Sequence, residues 1–87
     1  MEKTRRSADE GNTAAQYNLG VMYGTGQGGA PMDYRLAHMW YNIAASQGHE
    51  FVRDNIKVIE ERMTLEDISV AQQMALRCLE SNYKDCD

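Results

Sequence analysis

Two cysteines, Cys78 and Cys86, are the side chains best suited to covalent chemistry. On one continuous helix their Cα atoms would lie about 12 Å apart, because each residue adds about 1.5 Å. A disulfide requires roughly 4.4–6.8 Å, so it forms only if the helix ends near Ser81 and Asn82 and the tail folds back. The alternative is two free thiols, Cys78 filling the core and Cys86 in the tail. We predict the disulfide, which would fix the end of the chain.

Other residue types that perform catalysis lack the necessary pattern. Residues 24–29 have the GxGxxG spacing of a dinucleotide loop, but that loop follows a strand, and here a helix precedes it. We expect His38 at the surface and His49 in a turn, and neither has a cysteine or carboxylate at metal-site spacing. The four serines, none on a nucleophile elbow, are Ser7, Ser46, Ser69 and Ser81. We therefore predict no catalytic residue, no metal and no cofactor, and so no enzyme.

The bulk properties restrict the class of partner. A chain of 87 residues with 43% hydrophobic and 25% charged residues has the composition of one ordinary globular domain. Its net charge is −4 and its nine Lys and Arg are scattered. This distribution argues against nucleic acid and against an anionic membrane surface as the partner. No apolar run approaches the roughly 20 residues of a membrane-spanning helix.

The apolar spacing is helical along the whole chain, and no segment alternates with period two. It predicts helices over residues 13–23, 34–47, 50–62 and 65–80, after the end of an earlier helix that Gly11 closes. Asp33 and Thr64 are placed to cap the second and fourth helices, and Gly48 to end the second. We expect Trp40 to be buried between the first and third of these helices.

A shift of 37 residues brings parts of the chain into register with themselves. The matching pairs are Ala8 with Ala45, Gly11 with Gly48, and Asn18 with Asn55. A period of this length with two helices in each unit is typical of an α/α solenoid, in which each unit packs on the next.

Residues 15–48 also carry a spaced series of small, aromatic and turn residues: Ala15, Leu19-Gly20, Tyr23, Gly26, Gly28, Asp33, Ala37, Trp40-Tyr41, Ala44-Ala45 and Gln47-Gly48. This series resembles the Sel1-like repeat family, a relative of the tetratricopeptide repeats. The resemblance implies an all-α solenoid of antiparallel helix pairs in a single domain over residues 1–87. Within it, residues 12–48 would be a complete repeat, 1–11 the tail of a preceding repeat, 49–63 a degenerate repeat helix, and 64–87 a capping helix and tail.

The resemblance also implies a function, because the shared residues of these repeats serve packing and turns. It favours a scaffold or adaptor that binds a peptide segment of another protein in a short concave groove. Equivalence with tetratricopeptide helices places seven residues on that concave face: Tyr17, Asn18, Val21, Asp54, Asn55, Val58 and Glu61. One alternative is a secreted cysteine-containing member that binds or hydrolyses β-lactams, although the chain has no Ser-x-x-Lys motif. The other is a purely structural fragment that associates with itself.

Assembly and location complete the expectations. Repeat arrays need about three repeats to cover their apolar faces, so we predict a two-fold homodimer through the first helices. If the disulfide forms, the expected location is the periplasm or the outside of the cell, because cytosolic reductants keep thiols free. Without it, the cytoplasm is the alternative.

Overall fold

The computed structural model describes residues 2–86, and these residues form five helices and no strand. The helices are α1 (Glu2–Asp9), α2 (Thr13–Thr25), α3 (Tyr34–Ser46), α4 (Val52–Glu60) and α5 (Leu65–Glu80). The all-α prediction is confirmed for this part of the chain. The bounds of α5 agree with the predicted ones, whereas α4 is shorter than the predicted helix at both ends.

Side-chain caps fix where two of the predicted helices begin. The Asp33 carboxylate accepts hydrogen bonds from the backbone N–H groups of Arg35 and Leu36 at 3.0 and 3.2 Å. The Thr64 hydroxyl accepts one from the N–H of Asp67 at 3.0 Å. Both predicted caps are therefore confirmed, and each satisfies N–H groups that have no partner within the helix.

Helix α3 lies at the centre of the fold and packs against α2, α4 and α5, while α1 packs against α2. Its buried residues point in every direction around the helix axis: Ala37, His38, Met39, Trp40, Tyr41, Ile43 and Ala44. A helix that is buried on all sides belongs to the core rather than to one layer. The other helices therefore share α3 as their common packing partner.

Helices α2 and α3 are antiparallel and approach each other closely. A β-carbon at Gly20 would overlap the ring of Tyr41, and one at Gly24 would lie 3.7 Å from the β-carbon of Ala37. The later glycine of α2 thus lies opposite the earlier residue of α3, so the two helices run in opposite directions. The missing side chain of Gly20 is thus what allows the tyrosine ring to lie directly on the backbone of α2.

The glycine-rich segment after α2 is a loop between two helices, as predicted. Gly26 ends α2 in the left-handed conformation, with φ +74°, and its N–H donates to the Met22 carbonyl. The far end of the loop is anchored where the N–H of Asp33 donates to the Tyr23 carbonyl at 2.9 Å. Since α2 precedes this segment, it lacks the strand that a dinucleotide loop requires.

Trp40 is fully buried, which confirms that part of the prediction. One neighbour of the ring was not predicted. The ring reaches α1, where the Arg5 guanidinium carbon lies 5.3 Å from the ring centroid. Tyr41, rather than Trp40, lies against Gly20 of α2 and interacts with Asn55 of α4. The two adjacent aromatic residues therefore face different sides of α3.

The prediction that His38 lies at the surface is wrong. Its side chain is 1% exposed, with Nε2 2.8 Å from a carboxylate oxygen of Glu60. On the other side of the ring, the amide nitrogen of Asn42 lies 2.8 Å from Nδ1. The Asn42 amide thus donates to Nδ1, and the Nε2–H group donates to Glu60. Burial is tolerated because α4 supplies the second partner, which the sequence of α3 alone could not reveal.

Candidate functional site

A groove with a volume of about 460 Å³ lies between α2 and α4, beside Tyr41. Helix α2 contributes its small C-terminal residues, α3 contributes two tyrosines, and α4 and the turn after it contribute the remaining wall. The lining residues are Gly24, Thr25, Tyr34, Tyr41, Asp54, Asn55, Val58, Ile59 and Arg62. The groove thus combines an aromatic surface with amide, carboxylate and guanidinium groups.

Tyr41 is a buried lining residue of this groove, at 4% exposure. The ring of Tyr17 packs behind it, with the two ring centroids 6.0 Å apart. Burial raises the pKa of the Tyr41 hydroxyl above its ordinary value of 10.0, a side-chain hydrogen bond with Asn55 lowers it, and the nearby Tyr17 raises it. The hydroxyl therefore stays protonated at neutral pH and can exchange hydrogen bonds with a bound group.

A strip of aromatic rings leads away from the groove. His49 stacks on Tyr17, with centroids 4.5 Å apart and planes 14° apart. Phe51 meets His49 edge-on at 6.3 Å and is 72% exposed. His49 lies in the turn after Gly48, as predicted. Phe51 is thus the solvent-exposed end of this aromatic strip.

The fold and the site agree with one comparison. The sequence profile of the Sel1 repeat matches residues 13–49. Residues 13–49 form a Sel1 repeat. The repeat comprises α2, the glycine-rich loop, α3 and the turn that carries His49. No curated protein and no solved structure matches the chain. Sel1 repeats commonly mediate protein–protein interactions and are generally non-enzymatic scaffolds.

The structure places the seven residues predicted for the concave face in three different settings. Three residues from α4 line the groove beside the Sel1 repeat: Asp54, Asn55 and Val58. Tyr17 supports Tyr41 from behind, and Val21 is half-buried against the core. Asn18 and Glu61 are exposed and are not among the lining residues.

Six lining residues were not among those predicted for the concave face: Gly24, Thr25, Tyr34, Tyr41, Ile59 and Arg62. Tyr34 is the first residue of α3 in the Sel1 repeat and precedes Tyr41 by seven residues, so both lie on one helix face. Arg62 follows Val58 by four residues, in the turn just after α4. The spacing that identified the apolar stripes could have found both, had it been applied to the polar face.

The two cysteines form a disulfide, and both are buried. Helix α5 ends at Glu80, and the chain then turns through Asn82 and Tyr83, whose φ angles are +56° and +66°. The predicted fold-back at this point is confirmed. Left-handed geometry is unfavourable for a tyrosine, so the surrounding contacts must hold it there.

The folded-back tail contacts the Sel1 repeat. The side-chain amide of Gln47 donates to the Tyr83 hydroxyl and to the Gln16 side-chain oxygen, each at 2.7 Å. Gln16 is fully buried and donates in turn to the Ala8 carbonyl at 3.1 Å. This network links the tail, both helices of the repeat, and α1.

We expect removal of the disulfide to weaken this end of the molecule. Closing a nine-residue ring stabilises the fold by up to about 2.5 kcal/mol through the entropy of the unfolded chain. The double variant Cys78→Ala, Cys86→Ala should lose that much in urea unfolding, with α3 still helical. Alkylation followed by mass measurement should find no free thiol in the native protein. Two adducts on protein that has not been reduced would contradict the bond.

The raised pKa of Tyr41 predicts a decline in stability at alkaline pH. The unfolded chain loses this proton near pH 10, whereas the folded chain holds it to higher pH. The stabilisation that the Tyr41 hydroxyl contributes is therefore fully present below pH 10, and it is lost as the pH rises through the pKa of the folded state. Urea unfolding between neutral pH and about pH 11 measures the decline, which Tyr41→Phe should reduce. An identical decline in the variant would assign it to other groups.

The hydroxyls of Ser46 and Ser81 donate to the carbonyls of Ile43 and Cys78 within their own helices. No group of three or more His, Cys, Asp or Glu within residues 2–86 could hold a metal ion. Over the same range, no helix is both long and apolar enough to span a membrane.

Proposed function

We propose that this chain is a protein-interaction module whose groove binds a segment of another protein. The observation that carries the proposal is the groove of about 460 Å³ between α2 and α4. Peptide-binding repeats use grooves of this kind, in which pockets for alternate side chains give specificity. The Sel1 repeat supplies two of the three helices that line it.

The lining chemistry supports a protein ligand. Tyrosine and arginine are enriched at protein interfaces, and the groove contains two tyrosines together with Arg62. Val58 is 58% exposed and offers an apolar contact between the polar groups. The groove is short, so the affinity of an isolated segment should be in the micromolar range, about −8 kcal/mol.

A pair of matched variants tests the proposal. Val58 lines the groove and Leu76 does not, yet they are 58% and 57% exposed, so glutamate should be tolerated in the fold at both positions. Peptides selected from a random display library are titrated against each variant by calorimetry. We expect Val58→Glu to weaken binding at least about tenfold, because it places an unpaired charge at the contact, and Leu76→Glu to leave it unchanged. Equal affinities in the two variants would refute the groove as the binding site.

We also propose that the chain functions as one domain in an oxidising compartment, the periplasm or the outside of the cell, which the buried disulfide supports. The homodimer through the first helices stays a prediction. The outer surface of α1 gives it little apolar area, because its exposed residues are Glu2, Lys3 and Arg6. β-Lactam chemistry gains no support from the engaged hydroxyls of Ser46 and Ser81.

A further inference from the structure

Three groove residues follow each other along α4 and the turn after it, in the order acidic, apolar, basic. Asp54 and Val58 are four residues apart on α4, about 6 Å along the helix. Arg62 follows after four more residues, in the turn where its N–H donates to the Ile59 carbonyl at 3.0 Å. Within residues 2–86, neither Asp54 nor Arg62 has an ion-pair partner. The two charges thus stand on the order of 12 Å apart on either side of an exposed apolar contact.

An extended chain has a matching repeat. Every second side chain of a β-strand points to the same side, and these side chains are about 6.6 Å apart. Three alternate side chains of an extended segment would therefore lie opposite Asp54, Val58 and Arg62 in turn. An extended segment reaches all three residues with about five residues of chain, whereas a helix with a rise of about 1.5 Å per residue needs about nine. The extended segment therefore makes the three contacts in this short groove with less chain to order.

From this register we propose that the groove recognises an extended segment with the pattern basic, any residue, apolar, any residue, acidic. The inference rests on the proposed function and adds the chemistry of the ligand. The basic side chain pairs with Asp54 and the acidic one with Arg62. The central apolar side chain contacts Val58 and the tyrosines of the groove. The pattern reads along α4, so the ligand presents it in one of the two chain directions.

Synthetic peptides of identical composition test the spacing. Each ten-residue peptide contains one lysine, one valine and one glutamate in a background of serine and threonine. In the matched set the charges are four residues apart, with valine midway, in both chain orders. In the control set they are three residues apart, so they point to opposite sides of an extended chain. We expect one matched peptide to bind about three- to fivefold tighter than either control, because it makes both ion pairs and the controls make one.

Neutral variants test the two charges separately. Asp54→Asn and Arg62→Gln should each weaken the matched peptide about three- to fivefold, as exposed ion pairs do, and raised salt should reduce the difference. Lys57→Gln and Glu61→Gln are the controls, because both residues are exposed charges close to the lining residues but outside the groove. A peptide whose lysine is replaced by glutamate should recover affinity for Asp54→Lys.

The outcomes separate the two proposals. Equal affinity for matched and control peptides, or equal effects of Asp54→Asn and Lys57→Gln, would overturn the charge pattern. If library peptides nevertheless bind and lose affinity in Val58→Glu, the interaction groove stands without that pattern. If peptides of every kind fail to bind or ignore Val58→Glu, both proposals are wrong.

Discussion

Replacing Trp40 by alanine should lower the free energy of unfolding by about 3–5 kcal/mol. The indole is fully buried on central α3, so its loss leaves a cavity that the surrounding helices cannot close. A domain of this size has a total stability of about 5 kcal/mol, so the variant should be largely unfolded at 25 °C. Circular dichroism during urea titration measures the effect.

Trp40→Phe is the informative control. It keeps most of the ring volume and removes an indole N–H that is buried without a hydrogen-bond partner among the described residues. It also keeps an aromatic face toward the Arg5 guanidinium. The loss should therefore be well below that of alanine, about 1–2 kcal/mol. An unchanged melting temperature in Trp40→Ala would show that the ring does not contribute to the core as its burial implies.

Placing valine at Gly20 should cost about 3 kcal/mol, at the upper end of the range for overpacked cores. A single β-carbon at this position already overlaps the Tyr41 ring, and valine adds two more carbons. The ring cannot move freely, because Tyr17 packs against it and Asn55 bonds its hydroxyl. The displacement should also change the groove, so Gly20→Val should weaken any ligand that contacts Tyr41.

Ala14→Val is the matched control, because Ala14 is exposed on the same helix. It should cost only the helix propensity difference, about half a kcal/mol. The double variant Gly20→Val, Tyr41→Ala should cost less than the sum of the single changes, because the overlap disappears with the ring. Additive costs would mean that the two helices separate at this point without strain.

Local features of the sequence explain how much of the fold could be predicted. The caps at Asp33 and Thr64 and the left-handed turn at Gly48 each depend on a few neighbouring residues, so the sequence around them is sufficient. The burial of His38 could not be predicted from neighbouring residues. Its second partner, Glu60, lies 22 residues further along the chain, and no periodicity within α3 indicates it. Trp40 and Arg5 are paired across helices in the same way.

The groove could be predicted only in part for a related reason. Asp54, Asn55 and Val58 share a helix face that the repeat pattern identifies. The remaining lining depends on how far α4 tilts from α2, which is set by side-chain volumes at contacts such as Ile59 with Gly24. The separation of α4 from α2 is a property of the packed molecule, so residue spacing could relate Tyr34 to Tyr41 and Arg62 to Val58 but could not place them in one groove.

The contact between Tyr83 and Gly11 has a consequence for the order of folding. A β-carbon on Gly11 would lie 3.8 Å from the Tyr83 ring, although the two residues are separated by most of the sequence. Contacts of such long sequence separation raise the contact order and slow the search for the native topology. During synthesis, the turn between α1 and α2 leaves the ribosome long before the tail that covers it. We therefore expect the early helices to form first, and this end of the molecule to close only once the segment that carries Tyr83 has emerged from the ribosome.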